Sequence, residues 1–271
     1  MLTLGQSNEF ILGGEKMDVR LKFNEDVLNY DKMRPTYVTD LYDDVIRYSN
    51  LNSNKKTLEI GIGTGQATQP FLNTGCTLMA IELGENMAKF TREKFSRFDN
   101  FNVINYDFET ITLDNNSYDL NYSATAFHWI PEKIGYPKVF DLLKSGGVIA
   151  LFWNHPAREE GDFETAIQKV YGKYQTSIKS LVHKFSEEKC LEITETIKKY
   201  GFIDVEYKLY HQTRSFDASQ YMELLNTYSD HRAMQEEVRV TLEKELSDVI
   251  NHFGGKIDIQ DTIDLYLARK P

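Results

Sequence analysis

Short apolar segments alternate with amphipathic segments from residue 57 onward. The apolar segments are predicted as five strands, at 57–60, 77–81, 101–105, 118–123 and 148–153. Helical patterns are present between them, at 66–73, 85–98 and 131–143. Continuous apolar strands connected through helices are typical of a parallel sheet covered on both faces. The pattern predicts an α/β fold with an open, doubly wound sheet, because a barrel needs eight such units and the alternation weakens after the fifth strand.

The pattern changes after Asn154. Helices are predicted at 162–184, 187–200, 218–228 and 235–253, and strands at 202–210 and 262–268. We interpret the late strands as completing a mostly parallel, seven-stranded sheet with helices on both faces, and the extra helices as a helical cap over its carboxyl edge. The predicted organisation is a flexible lead-in at 1–24 and a single domain at 25–271, with its core at 52–154, its late strands at 202–210 and 262–268, and its cap at 160–200 and 217–253.

Charge and cysteine content narrow the classes of partner. The chain has 271 residues and a formal net charge of −10, and an acidic protein repels phosphate backbones, so nucleic acid is not expected as a partner. Cys76 and Cys190 are expected to be reduced thiols in a cytoplasmic protein. No apolar run approaches the ~20 residues that span a bilayer, and residues 1–15 lack the pattern of a secretion signal, so no membrane partner is expected.

A glycine-rich turn follows the first predicted strand. The run Glu59–Gly65 places glycines at 61, 63 and 65, where they allow positive φ and close approach to a ligand. A fold that binds dinucleotides favours Gly-x-Gly-x-x-Gly, but the third position of that pattern is Gln66 here. The turn therefore suits a ligand without a pyrophosphate.

Two acidic features follow the next two strands. Glu82 ends the second strand, 21 residues after Gly61, and an acidic side chain at about this separation accepts the hydroxyls of a ribose. Asp107 and Phe108 follow the third strand, where a carboxylate and a backbone N–H can bind an adenine. Ligands of such sheets bind outside the carboxyl ends of the strands, so the turn and both acidic features are predicted to form one nucleoside site.

These features together resemble the class I S-adenosylmethionine-dependent methyltransferases, which have a Rossmann-like fold. The similarity extends to the segment after strand four, which ends in Ala126-Phe127-His128-Trp129 and is similar to the subgroup of trans-aconitate and ubiquinone-biosynthesis methyltransferases. Tyr30-x3-Arg34-Pro35-x-Tyr37 is similar to the segment that closes over the cofactor in that subgroup. One departure is Leu83-Gly84, where Asp-x-Ser is more usual.

The resemblance implies S-adenosylmethionine as cofactor, S-adenosylhomocysteine as product, and a set of site residues. Residues expected to bind the cofactor are Tyr30, Arg34, Glu59, Gly61, Gly63, Thr64, Gly65, Glu82, Leu83, Met87, Asp107, Phe108, Ser123, Ala124 and Phe127. Residues expected to bind the methyl acceptor are Tyr37, His128, Trp129, Trp153 and Tyr228. A monomer or a homodimer is expected.

The reaction requires an O, N or C nucleophile held in line, about 3–3.5 Å from the methyl carbon. His128 is the candidate general base, because a histidine titrates near neutrality. The alternative is that His128 and Trp129 only shape the pocket, and a carboxylate acceptor needs no base. No His, Asp or Glu cluster has the spacing of metal ligands, so no metal is expected.

Strand four lacks the Asn/Asp-Pro-Pro-Tyr turn of enzymes that methylate nucleobase amines, and no cysteine lies there to attack a pyrimidine. The prediction is a methyltransferase acting on a small molecule. Two rival hypotheses stay open at this point: a protein that binds the cofactor without turnover, and a nicotinamide-dependent oxidoreductase.

Overall fold

The computed structural model describes residues 9–12, 15–18, 20–21, 24, 26–174 and 185–271. In these ranges the strands are β1 (Glu9–Leu12), β2 (Glu15–Asp18), β3 (Lys56–Ile60), β4 (Thr77–Glu82), β5 (Phe101–Asn105), β6 (Tyr118–Ala124), β7 (Leu143–Ala157), β8 (Ile203–Asp217) and β9 (Lys256–Arg269). The helices are α1 (Val27–Met33), α2 (Thr39–Ser49), α3 (Thr68–Leu72), α4 (Glu85–Lys94), α5 (Glu132–Leu142), α6 (Asp162–Lys173), α7 (Glu187–Lys199), α8 (Ala218–Leu225), α9 (Ser229–Arg232) and α10 (Glu236–His252). A 3-10 turn covers Phe127–Trp129.

Seven of the strands form one sheet in the order β5-β4-β3-β6-β7-β9-β8. The first five run parallel, and β9 is antiparallel to both of its neighbours. The predicted Rossmann-like, mostly parallel sheet of seven strands is therefore confirmed. The carboxyl ends of β3, β4 and β6 lie side by side, which brings the residues that follow them to one edge.

Three strands are much longer than predicted. β7 begins at Leu143 instead of 148, β8 continues to Asp217 instead of 210, and β9 begins at Lys256 instead of 262. The added residues of β8 and β9 are mostly polar, so they lack the continuous apolar run of the central strands. They are extended because they pair with each other as far as Asp217 opposite Lys256. We call the part of β7, β8 and β9 beyond the end of β6 the overhang.

Helices cover both faces of the sheet. One apolar cluster packs α2, α3 and α4 on the first face, with Leu41, Phe71 and Phe95 fully or almost fully buried. The second face carries α5 and α7, whose Val139 and Ile197 are fully buried. This corrects the predicted cap, which included α7: the apolar stripe of α7 packs against the sheet itself.

A third apolar cluster lies on the overhang and forms the cap. It joins Met33 of α1 to α6, α8 and α10, and it includes Ile257 and Ile259 of β9. The predicted helix at 162–184 ends at Lys173, and residues 175–184 lie outside the described residues. The cap therefore rests on the sheet's own strands and on the segment that precedes the core.

The chain before the core is more structured than the sequence predicted. Within the expected lead-in, β1 and β2 pair antiparallel, with Glu9 opposite Asp18. α1 and α2 were not predicted, although Asp26 accepts a hydrogen bond from the Asn29 N–H, as an N-cap residue does. α1 is only seven residues long, so its pattern is too short to indicate a helix. The tyrosines and the arginine of this region indicate a cofactor-covering segment and carry no information on its secondary structure.

Asn24 supplies a cap for a helix far along the chain. The first turn of α4 has no capping side chain of its own, and the Asn24 side-chain oxygen accepts from the Asn86 N–H at 2.7 Å and from the Met87 N–H at 3.1 Å. The start of α4 is thereby joined to the segment before α1.

Replacing Asn24 with Ala is expected to lower the free energy of unfolding by about 1 kcal/mol, because two N–H groups lose their acceptor. Urea denaturation measures the change. Asn24→Asp is the matched control, since it keeps an acceptor oxygen, and we expect it to be close to wild type. Equal stability of the Ala and Asp variants would show that the cap contributes nothing.

Candidate active site

The glycine turn comes closest to the rest of the site at Gly61 and Gly63. Gly61 has φ +71°, and a Cβ atom there would lie 2.6 Å from the Cβ of Ala126, so a larger residue would displace the chain after β6. Among the described residues, a Cβ on Gly63 would meet only the Tyr30 ring, at 3.8 Å. The turn thus leaves a cradle open above Gly63, bounded on one side by Tyr30.

Glu82 contacts the turn directly. Its Oε2 accepts from the Gly63 N–H at 2.8 Å, and its Oε1 accepts from the Gly84 N–H at 2.8 Å. Burial raises the pKa of Glu82, while these backbone hydrogen bonds oppose the shift. A carboxylate has about four lone-pair positions, so Glu82 keeps acceptor capacity beyond its backbone hydrogen bonds.

Glu59 lies beneath the turn and is 1% exposed. Its Oε2 accepts from the Tyr122 hydroxyl at 2.6 Å and from the Thr68 hydroxyl at 2.7 Å, which connects β3, β6 and α3. Burial raises the pKa of Glu59 to about 8, although both hydroxyl groups lower it. Glu59 is therefore a structural support under the turn, with its carboxyl group facing the interior.

The raised pKa predicts a stability effect. Between about pH 4.5 and 8 the unfolded chain loses the Glu59 proton and the folded chain keeps it, so the stabilisation present below pH 4.5 is lost as pH rises through 8. We expect the free energy of unfolding of wild type, relative to that of Glu59→Gln, to fall by about 3–5 kcal/mol between pH 5 and pH 8.

Thermal unfolding of both proteins from about pH 5 to 9 measures this difference. Glu85→Gln is the control, because Glu85 is exposed at the start of α4, and we expect its difference from wild type to stay constant. A Glu59→Gln curve parallel to wild type would contradict the buried titration.

Two acidic residues, Asp107 and Glu109, follow β5, and both already form ion pairs with Arg20. Asp107 Oδ1 accepts from the Glu109 N–H at 2.9 Å, and Arg20 donates to Asp107 at 3.3 Å and to Glu109 at 2.9 Å. The Phe108 side chain is buried in the second core cluster, with the Lys138 ammonium 5.1 Å from its ring centre. The segment before the core therefore reaches the expected adenine side of the site.

The chain after β6 adopts a strained turn. Thr125 has φ +53°, which is unusual for a β-branched residue. Its hydroxyl lies 2.7 Å from the Tyr37 hydroxyl and accepts from the Asn154 N–H at 3.3 Å, while its own N–H donates to the Phe152 carbonyl. Burial raises the pKa of Tyr37 far above its usual value, so Tyr37 is neutral, and either hydroxyl can be the donor in its contact with Thr125. These contacts fix the turn at Thr125, and the next residue, Ala126, lies against Gly61.

His128 and Trp153 form a hydrogen-bonded pair at the same edge. The Trp153 Nε1–H donates to His128 Nδ1 at 3.0 Å, and the rings of His128 and Trp129 lie 5.0 Å apart. Loss of hydration and, second, the proximity of His155 lower the pKa of His128 to about 4. Since an indole N–H is only a donor, neutral His128 carries its proton on Nε2.

Arg34 connects the segment before the core to the cap. Its guanidinium lies 4.8 Å from the Tyr30 ring centre and 4.6 Å from that of Tyr228, and it donates to the Thr227 carbonyl at 2.8 Å. Cation–π contacts of this kind are worth about 0.5–2 kcal/mol each. The stack closes one side of the cradle above Gly63.

Several expected cofactor-binding residues have interior side chains. Ser123 donates to the Ile60 carbonyl at 2.8 Å, Thr64 accepts from Gln66, and Met87 and Phe127 are almost fully buried. Ala124 and Leu83 are half-buried at the ends of their strands, and Gly65 lies against Phe95. These residues shape the site through their backbone or by packing beneath it.

Comparison with known proteins identifies the domain. Residues 58–151 match the family described as "Methyltransferase domain". An uncharacterized methyltransferase-like protein of Schizosaccharomyces pombe is 24% identical over 237 residues, which cover 87% of this chain and 88% of that protein. Residues 58–151 form a methyltransferase domain, and the chain has the fold of the class I S-adenosylmethionine-dependent methyltransferases.

Solved structures share the fold of this methyltransferase. Phosphoethanolamine N-methyltransferase 2 of Haemonchus contortus, in complex with phosphomonomethylethanolamine and S-adenosylhomocysteine, has a TM-score of 0.56 at 15% identity, covering 94% of this chain and 59% of that one. A putative sarcosine dimethylglycine methyltransferase of Galdieria sulphuraria has a TM-score of 0.51 at 22% identity, covering 85% and 83%. Neither likeness extends beyond the fold.

The described part of the methyltransferase has neither a metal-binding cluster nor a membrane-spanning helix. No group of three or more His, Cys, Asp or Glu side chains there is arranged to hold a metal ion. None of its described helices combines the length and the apolar character needed to cross a bilayer. Cys76 and Cys190 are free, buried thiols, as the sequence predicted.

Sequence reasoning missed three polar residues at the candidate site, Arg20, His155 and Asp264, and it missed the backbone conformation of Thr125. Arg20 lies in the expected lead-in, and nothing in the sequence marks the positive φ of Thr125. His155 and Asp264 contact each other at 3.0 Å although 109 residues separate them, so only the pairing of β7 with β9 brings them together. A polar residue at the carboxyl end of β7 is the one signal that was available.

Proposed function

We propose that this methyltransferase transfers the methyl group of S-adenosylmethionine to a small molecule bound beside the carboxyl ends of β6 and β7. The observation that carries the proposal is the direct contact between Glu82 and the Gly63 N–H, which makes one continuous edge of the turn and the carboxylate. Ribose hydroxyls would donate to the remaining lone pairs of Glu82, while the methionine part would lie in the cradle above Gly63.

The adenine would lie beside Asp107 and the Phe108 backbone. In the structure Arg20 contacts the Asp107 carboxylate, so we propose that Arg20 shares this carboxylate with the adenine amine. Ala124 and the strained Thr125 would border the sulfonium. The cofactor supplies an electrophilic methyl group, and the protein's part is to align the acceptor and exclude water.

The acceptor side is bounded by aromatic and polar groups. Trp129, Trp153 and Tyr228 supply aromatic surface, and the Tyr37 hydroxyl and His128 Nε2–H supply donors. We propose that His128 orients the acceptor as a donor and is not the base, because the lone pair on its Nδ1 accepts from Trp153. The net charge of −10 favours a small acceptor over a nucleic acid.

Calorimetry with S-adenosylmethionine and S-adenosylhomocysteine tests the first step, and release of S-adenosylhomocysteine with panels of small carboxylic acids, phenols and amines tests the second. We expect binding of both nucleosides and turnover with at least one small-molecule class. Binding without turnover on any panel, together with turnover on RNA or protein, would refute the proposed acceptor class. No binding at all would refute the site.

A further inference from the structure

A second histidine lies near His128, on the same side of the sheet and at the same carboxyl edge. His155 follows Asn154 on β7, and its Nε2 lies 3.0 Å from the Oδ1 atom of Asp264 on β9. Trp153, which donates to His128, lies two residues before His155 on the same strand. The side chain of His155 is 39% exposed, whereas that of Asp264 is 3% exposed.

Asp264 is organised as an acceptor of hydrogen bonds. Its Oδ1 accepts from the Trp153 backbone N–H at 3.2 Å, and its Oδ2 accepts from the Tyr266 hydroxyl at 2.8 Å. With both oxygens already accepting, the His155 Nε2 must be the donor in their contact. A buried carboxylate that fixes one nitrogen of a histidine sets its tautomer and leaves the lone pair on the other nitrogen.

The two histidines therefore differ in what they can do. The lone pair of His128 lies on Nδ1 and accepts from Trp153. The lone pair of His155 also lies on Nδ1, but this atom has no hydrogen-bond partner among the described residues, and the ring edge is open beside Phe185, whose centre lies 5.0 Å away. Only His155 has an available basic nitrogen held by a buried acid.

We propose that His155, positioned by Asp264, is the general base of the methyl transfer, and that the acceptor is a hydroxyl compound of the phenol class. This inference rests on the proposed function and deepens it. A carboxylate acceptor is ionised near neutrality and needs no base, whereas a phenol has a pKa of about 10 and must lose its proton. Trp129 and Trp153 supply flat aromatic surface for such a ring.

The step balances without another reactant. The acceptor O–H proton passes to His155 Nδ1 while the acceptor oxygen bonds to the methyl carbon. The carbon–sulfur bond breaks, and its electron pair stays on sulfur, which leaves as a neutral thioether. The imidazolium that forms at His155 is stabilised by Asp264 and then releases its proton to solvent.

Two phenols of different acidity test the base role. At about pH 8.5, 4-methylphenol is largely neutral, while 4-nitrophenol is present as the phenolate. We expect His155→Gln to lower kcat/KM for 4-methylphenol by about 10²–10⁴-fold and to leave 4-nitrophenol within a few fold of wild type. Asp264→Asn should show the same selectivity with a smaller loss, since it still fills the space but holds the ring less firmly.

Two control variants distinguish a general base at residue 155 from a residue that only maintains the fold or positions the acceptor. His211→Gln removes an exposed histidine of the same overhang and should match wild type on both phenols. His128→Leu should lower kcat/KM for both phenols alike, because leucine has no donor to orient the acceptor. Calorimetry with S-adenosylhomocysteine should give an unchanged Kd for His155→Gln, which shows that the variant is folded.

The outcomes separate the inference from the proposed function. Equal losses of His155→Gln on both phenols, or no loss on either, overturn the base role. Wild-type transfer to carboxylic acids or amines but to neither phenol also overturns it and leaves the proposed function intact. Wild-type transfer to no small molecule overturns both.

Discussion

Replacing Glu82 with Ala is expected to weaken binding of S-adenosylhomocysteine by at least about 100-fold. Hydrogen bonds to a charged group contribute about 1.5–3 kcal/mol each, and the proposed ribose contacts are two of them. The substitution also removes the acceptor of the Gly63 N–H, so the turn loses its connection to β4. Isothermal titration calorimetry measures the change in Kd.

Glu85→Ala is the matched control for this experiment. It removes the same charge three residues away, at an exposed position in the first turn of α4, where a carboxylate contributes at most about 1 kcal/mol through the helix dipole. We expect its Kd to stay within a few fold of wild type. A Glu82→Ala variant that melts cooperatively and binds as tightly as Glu85→Ala would remove Glu82 from the cofactor site.

Replacing Glu164 with Ala is expected to lower the free energy of unfolding by about 3–5 kcal/mol. Glu164 and Arg158 are each 5% exposed, and the Arg158 Nε and Nη2 donate to the two oxygens of Glu164 at 2.5 and 3.1 Å. The Arg158 Nη1 donates to Tyr221 at 2.8 Å. Truncating Glu164 removes a buried counter-charge from the Arg158 guanidinium, which is the costly case for an ion pair.

Urea denaturation measures this loss, and two variants calibrate it. Glu195→Ala breaks the exposed pair of Glu195 with Lys198 and should cost less than about 1 kcal/mol. The double variant Arg158→Met with Glu164→Leu should recover most of the stability, because apolar side chains replace both charges. If Glu164→Ala were as mild as Glu195→Ala, the buried pair would not stabilise the cap.

The sequence specifies the central strands because each is apolar and nearly continuous. The residues of β3 to β6 give that signal at almost their full lengths, and the turn after β3 carries its glycines in a spacing that separates it from a pyrophosphate site. Glu82 could be predicted as its partner because parallel strands end at a common edge. The contact of Glu82 with Gly63 confirms this convergence, while the roles of individual site residues stay predictions.

The ends of the late strands and the contacts between distant site residues could not be predicted, because they depend on strand pairing. The ends of β8 and β9 are strands through pairing. Residues 256–261 alternate between exposed and buried positions, but the polar residues around Ile257 and Ile259 interrupt the apolar run that marks the central strands.

The partnership of His155 with Asp264 depends on the register of β7 against β9, in which Trp153 lies opposite Asp264. The residue type of His128 makes it a candidate base. The structure shows that its Nδ1 lone pair accepts from the indole N–H of Trp153, 25 residues away, a contact that the sequence does not indicate.

The overhang determines which parts of the molecule can move. A hinge needs residues whose backbone torsions are free to change, but along this junction β7 pairs with β9 as far as Ala157 opposite Gln260, and β8 pairs with β9 beyond that point. The cap over the acceptor side is thus attached to the sheet by continuous strands. Entry and exit of small molecules therefore depend on segments outside this strand pairing, such as the one that carries Asn24 and Arg34.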